Sequence, residues 1–122
     1  MIVADSSYLV EGLMKRKELL DDDIVTSDLA IYEVFNSVWK HQHVLRDLED
    51  GQPYLSVFTG LLDSNSIRAV HPDKRLLSNS YAIAARNRIS VYDAVFISIA
   101  LEIGAELRTF DKRQARIMRL EA

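Results

Sequence analysis

The sequence has no cysteine, two prolines and four scattered glycines, Gly12, Gly51, Gly60 and Gly104, in 122 residues. Without cysteine there can be no disulfide framework, no thiolate metal site and no thiol nucleophile. Glycines so far apart build no phosphate-cradling loop, which excludes the nucleoside-triphosphate and dinucleotide motifs. No Gly-x-Ser-x-Gly elbow is present to activate a serine. Long apolar runs are also missing: the longest, Ala94 to Leu101, is broken by Ser98 and closed by Glu102, well short of the ~20 residues a membrane helix needs. The opening Met1-Ile2-Val3-Ala4-Asp5 lacks the basic and apolar regions of a secretory signal. A cytoplasmic protein that does not span a bilayer is the expectation.

The composition, 48% hydrophobic and 27% charged, is that of a globular chain with enough apolar material for a core, and 122 residues form a single domain over 1–122. The net charge of −3 divides unevenly. Residues 1–61 carry five basic and eleven acidic side chains, and residues 62–122 carry ten and seven. From Arg108 to Arg119 there are five basic residues and one acid, a run that suits either a solvated helix face or a patch facing phosphates.

Apolar periodicity sets out alternating elements. Ile2-Val3-Ala4 reads as a strand leading through Asp5 into a helix with Tyr8, Leu9, Leu13 and Met14. Ile24-Val25-Thr26 is a second strand, followed by a helix capped by Ser27 or Asp28 and running to about His43. Its apolar face is read as Leu29, Tyr32, Phe35 and Trp39, flanked by Ile31, Val34 and Val38. Arg46 to Pro53 breaks the pattern, and Tyr54 to Leu62 resumes it as a helix. Ile67 to Val70 is a third strand, Pro72-Asp73 opens a helix with Leu76, Leu77, Ile83 and Ala84, and Ser90 opens the most apolar helix, which Gly104 ends. Ala105 to Thr109 is a fourth strand, and Asp111 opens a terminal helix with Ala115, Ile117, Met118 and Leu120. Strands alternating with helices imply an α/β fold with a mostly parallel sheet of four or five strands and helices on both faces. Ligands of such sheets bind beyond the strands' carboxyl ends.

Four acids stand at or near those ends. Asp5 and Asp111 each follow a strand, where N-capping alone would account for them. Asp93 follows Ser90 by three residues, as in a capping box. Glu33 is no cap: it lies a turn inside its helix among apolar residues, with asparagine and serine at positions 36 and 37. A carboxylate withdrawn from water needs a partner or a proton. If the four acids converge at one sheet edge, they repel one another, and a hard divalent cation, Mg²⁺ or Mn²⁺, is the natural relief. The three histidines, His41, His43 and His71, lack the spacing of a zinc site.

These residues resemble the PIN-domain family and, within it, VapC-type ribonuclease toxins, over nearly the whole chain. Ile2-Val3-Ala4-Asp5-Ser6-Ser7 is similar to the family's opening strand, and Glu33-Val34-Phe35-Asn36 to its Glu-x-x-Asn helix. Ala85-Arg86 with Val91-Tyr92-Asp93-Ala94-Val95-Phe96 resembles its Tyr-Asp-Ala helix, and Leu107-Arg108-Thr109-Phe110-Asp111 its Leu-x-Thr-x-Asp strand end. The resemblance implies an endoribonuclease dependent on one or two Mg²⁺ or Mn²⁺ ions, with Asp5, Glu33, Asp93 and Asp111 as catalytic and metal-binding residues and hydrolysis leaving a 5′-phosphate. Ser7, Asn36 and Thr109 fall at its accessory polar positions. Arg86, Arg108, Lys112 and Arg113 are candidates to meet the RNA backbone. A homodimer and an antitoxin partner are implied as well. Tyr8, Leu9, Leu13, Trp39, Tyr54 and Phe58 are available for those contacts or for the core.

Two departures from the family stand out. Lys112-Arg113 follow Asp111 where some relatives carry further acids, so a second metal would be held loosely. The chain also ends at Ala122 where many relatives add a strand, so the sheet is expected to lack an edge strand. A dehalogenase-like phosphatase would need Asp-x-Asp where this chain has Asp5-Ser6-Ser7, and a receiver domain would need adjacent acids near the first strand. A PIN-like module that binds RNA without cutting it, or a housekeeping RNA-processing nuclease, remains an alternative to the toxin.

Overall fold

The computed structural model describes residues 1–122. Four strands, β1 (Ile2–Ala4), β2 (Ile24–Ser27), β3 (Ile67–Val70) and β4 (Glu106–Arg108), form one sheet in the order β3-β2-β1-β4. Every pairing is parallel, with Ile2 opposite Ile24 and Glu106, and Ile24 opposite Ile67. Six helices connect and cover it: α1 (Ser6–Met14), α2 (Leu29–His43), α3 (Gln52–Asp63), α4 (Lys74–Asn87), α5 (Val91–Ile103) and α6 (Lys112–Glu121).

Strand side chains alternate between faces with a period of two, and the core divides accordingly. Ile2, Ala4 and Ile24 join Leu9, Leu13, Ala30, Val34 and Phe58 under α1, α2 and α3. Val3 and Val25 join Leu76, Val95 and Ile99 under α4 and α5. The middle of helix α5 is enclosed on every side, with Ala94 through Ala100 all buried. Its near-continuous apolar sequence follows from that placement rather than from amphipathicity. Gly104 ends the helix in the left-handed region, at φ 66°, where a residue without Cβ is unstrained.

The α/β architecture with helices on both faces matches the sequence reading, and the differences are local. The contact line of α2 is Ala30, Val34 and Val38, while Tyr32, Phe35 and Trp39 are exposed. A helix seated closely on its neighbours accepts small and β-branched side chains along its contact line, and a periodicity count weighs hydrophobicity without weighing size. Pro53 lies inside the first turn of α3, because that turn has no hydrogen bond for proline to break. A short 3-10 turn, Lys17–Leu20, lies between α1 and β2. Ser27, not Asp28, caps α2, its Oγ accepting from the Leu29 N–H at 3.2 Å. Asp28 instead binds His71 at 2.7 Å. Tyr8, Leu9, Leu13 and Phe58 are core residues. No helix is long and apolar enough to cross a membrane.

Candidate functional site

The strand order places a switch point at β1. The chain moves outward from β1 through β2 to β3, then returns to lay β4 on the other side of β1. A crevice opens beyond the carboxyl ends of strands at such a point. Asp5 follows β1 and Asp111 follows β4, while Glu33 and Asp93 lie in the early turns of α2 and α5.

Asp5 is 5% exposed and caps α1. Its Oδ1 accepts from the Tyr8 N–H at 3.0 Å and the Ser7 hydroxyl at 2.7 Å, and its Oδ2 accepts from the Thr109 hydroxyl. Burial pushes its carboxyl above the ordinary range. The bonds from Thr109, Ser7 and Tyr8 oppose the rise, and the charge of Asp111 adds to it. Glu33 is half-buried and shifts the same way, through burial first, with the Ser6 hydroxyl opposing and the charges of Asp93 and Asp5 reinforcing. Its Oε1 is buried without any hydrogen-bond partner. These repulsions connect all four acids into one electrostatic set. No lysine, arginine or histidine forms an ion pair with any of them.

Capping and clustering coexist. Asp111, exposed at the start of α6, accepts from the N–H groups of Arg113 and Gln114 at 2.9 and 3.1 Å, both through Oδ1. Asp93 is half-buried, and its own N–H donates to Ser90 Oγ at 3.1 Å, so the cap of α5 leaves its carboxylate unused. No three acidic or histidine side chains lie close enough together, as they stand, to hold a metal. The donors are all carboxylate oxygens, one of them orphaned. Donors of that kind suit a hard divalent cation.

The accessory residues separate. Ser7 and Thr109 both bind Asp5 directly, and the Phe110 N–H donates to Ser7 Oγ at 3.1 Å. Asn36 is exposed and lines a different cavity, with Phe35, Trp39 and Gln42. Among the basic candidates, Arg86 is engaged by Glu121 at 2.6 Å, and Arg108 pairs with Glu106 at 3.1 Å and Asp22 at 3.7 Å. Arg113 donates to the Arg88 carbonyl at 2.6 Å, closing the end of α4. Lys112 is exposed and unpaired.

Sequence reasoning missed Gln114, which is 2% exposed. Its Nε2 donates to the Asp93 carbonyl at 2.9 Å, and its Oε1 lies 3.0 Å from the Thr109 hydroxyl. One side chain therefore spans the β4 end that holds Asp5 and the α5 turn that carries Asp93. The one signal for it is a polar residue in register with Ile117 on the buried side of α6.

The family model described as PIN domain matches residues 2–120. Over 95 residues the chain is 33% identical to Ribonuclease VapC3 of Pyrobaculum aerophilum, a match that covers 76% of this chain and 70% of that protein. The chain belongs to the PIN-domain family and is of the VapC type.

Proposed function

We propose that this protein is a Mg²⁺- or Mn²⁺-dependent endoribonuclease in which Asp5, Glu33, Asp93 and Asp111 hold one or two ions and carry catalysis. One observation bears most of the weight: the Glu33 Oε1 is buried without a partner, within reach of the charges of Asp93 and Asp5, and no cationic side chain is paired to any of the four acids. A protein leaves such a group unpaired at a cost of a few kcal/mol, which a cation would remove. The relative's name, Ribonuclease VapC3, supports RNA as the polymer.

A bound divalent ion supplies a water of lowered pKa and stabilises charge on the phosphate oxygens. The chain's own part is orientation. Ser7 and Thr109 fix the two oxygens of Asp5. Gln114 ties the β4 end to the α5 turn, and Lys112 offers an unpaired cation beside Asp111 to the RNA backbone. Hydrolysis of the phosphodiester at these acids would leave a 5′-phosphate.

The reading extends to a toxin that works in the cytoplasm as a homodimer and is held silent by an antitoxin protein. Light scattering on the purified chain tests the dimer. Co-purification with the product of a neighbouring gene tests the antitoxin.

The deciding experiment is cleavage of total cellular RNA in Mg²⁺ or Mn²⁺, with EDTA and Asp5→Asn as controls. Discrete fragments lost in both controls are expected. Folded protein that neither cuts RNA nor binds either ion would overturn the reading.

A further inference from the structure

Beside the acids, and outside every role given above, an aromatic side chain stands in water at a fixed place. Phe110 lies between Thr109 and Asp111, and its N–H is bound to Ser7 Oγ. Its ring is nevertheless 47% exposed. Tyr8 backs it in a near-parallel stack, with centroids 5.9 Å apart and planes 16° apart. Tyr8 is itself buried and held by its hydroxyl, which donates to the Leu19 carbonyl at 2.9 Å. The Arg16 guanidinium lies over the Phe110 ring, 5.1 Å from its centroid. Arg16 is half-exposed and tethered by a single 3.6 Å contact with Glu11, so it can lift and settle again.

Phe110 forms one wall of an open cavity of about 410 Å³ whose other walls include Ser6, Ser7, Glu11, Glu33 and Ser37. Volumes of about 300–1,000 Å³ suit small-molecule groups, and one nucleoside fits. Of the lining hydroxyls, Ser7 is already bound to Asp5 and the Phe110 N–H, and Ser6 to Glu33, which leaves Ser37 to donate or accept and Glu11 to accept when ionised. Its two apolar members, Val10 and Phe110, are too few to seat an apolar peptide anchor. They suit a flat group that has π faces and a polar edge.

We propose that Phe110 and Arg16 form a stacking seat for one unpaired RNA base next to the scissile phosphate, with Arg16 closing over the far face of the base and Ser37 and Glu11 meeting its edge. This rests on the nuclease reading and deepens it, since it names the substrate as single-stranded at that nucleotide. Aromatic and guanidinium planes are the usual platforms for splayed bases. Glu33 lines the same cavity, so a base seated there brings its flanking phosphate to the acids.

The test measures binding of fluorescently labelled single-stranded RNA of about ten nucleotides, as oligo(A), oligo(C) and oligo(U), in Mg²⁺. The protein carries Asp5→Asn to prevent cleavage, and thermal melts confirm that each variant is folded. Phe110→Ala should raise Kd about tenfold for at least one of the three. Phe110→Tyr should stay within about twofold, while Phe110→Leu, apolar but without a π face, should behave as alanine does. A fully abasic strand of the same length should bind weakly and be indifferent to Phe110. An unchanged Kd in Phe110→Ala, or an equal loss for abasic and base-bearing strands, would overturn the seat. If wild type cuts total RNA and Asp5→Asn does not, while Kd is indifferent to Phe110, the stacking seat fails alone. If wild type neither cuts nor binds RNA, the nuclease reading fails with it.

Discussion

Asp5 and Glu33 both have folded-state pKa values raised, first by burial and then by neighbouring charge, that of Asp111 on Asp5 and those of Asp93 and Asp5 on Glu33. The sign of the linkage follows. A carboxyl whose folded pKa lies above its unfolded one favours folding fully below the ordinary carboxylate range, about pH 4. That contribution is lost as pH rises through the raised value, so at neutral pH both groups burden the metal-free fold. Asp5→Asn keeps an oxygen for the Tyr8 N–H and Ser7 hydroxyl, and its amide can donate to Thr109, whose hydroxyl then turns to Gln114. In EDTA at pH 7 this variant should therefore melt at the wild-type temperature or a few degrees higher, with the difference vanishing below about pH 4. Mg²⁺ or Mn²⁺ should raise the wild-type melting temperature and leave that of Asp5→Asn unmoved. A drop of many degrees in EDTA would assign Asp5 a capping role alone. Gln114→Leu tests the bridge from the other side. It fills the volume but removes the side-chain bonds to the Asp93 carbonyl and the Thr109 hydroxyl, which should cost about 0.5–1.5 kcal/mol each in denaturant unfolding and weaken metal binding about 10–100-fold. Stability lost without metal affinity would confine Gln114 to packing.

At the scale of elements, α5 is the best place to separate packing from chemistry. It carries Ser98, 3% exposed, whose Oγ has no partner, whereas Ser80 on α4 is equally buried and donates to the Leu76 carbonyl at 2.7 Å. Ser98→Ala removes an unsatisfied group and places the best helix former there. The substitution should raise the melting temperature by a few degrees, and Ser80→Ala should gain less, since it gives up a bond. A fall in Ser98→Ala, measured by calorimetry, would mean that the hydroxyl has a partner. The same helix shows what sequence reveals. Its start at Ser90, its apolar body and its stop at Gly104 are all legible, because caps and a left-handed glycine act locally. All four parallel strands are legible too, β1 to β3 from their isoleucines and valines and β4 from its place between Gly104 and the cap at Asp111. The contact line of α2 is not, since Ala30 and Val34 face the core only because α1 and the sheet approach too closely for Trp39. Of the site, the four acids could be picked out singly and by family likeness. Gln114 and Phe110 could not: Phe110 meets Ser7 and Tyr8 about a hundred positions earlier, and Gln114 reaches across to the α5 turn at Asp93, relations that periodicity does not encode.

For the whole molecule, the puzzle is how a chain of net charge −3 meets a polyanion. The fold answers by sorting its cations. Most arginines near the site are already committed: Arg86 to Glu121, Arg108 to Glu106, Arg113 to the end of α4. Lys112 and Arg116 remain exposed without ion pairs, and four residues apart on α6 they share one face that starts beside Asp111. Contacts with phosphate release counterions, so the logarithm of affinity falls with the logarithm of salt, by a slope of about 0.7 per phosphate on a single strand. Replacing Lys112 and Arg116 together by glutamine should flatten that slope by about 0.7–1.4 and weaken binding at low salt, while cleavage at saturating RNA stays within about twofold. Arg86→Gln should leave the slope unchanged, because its charge is already spent on Glu121. Fluorescence titrations of one labelled RNA across a salt series decide between them. Equal slopes in wild type and the double variant, with a flatter one in Arg86→Gln, would move the RNA path off α6 and across α4.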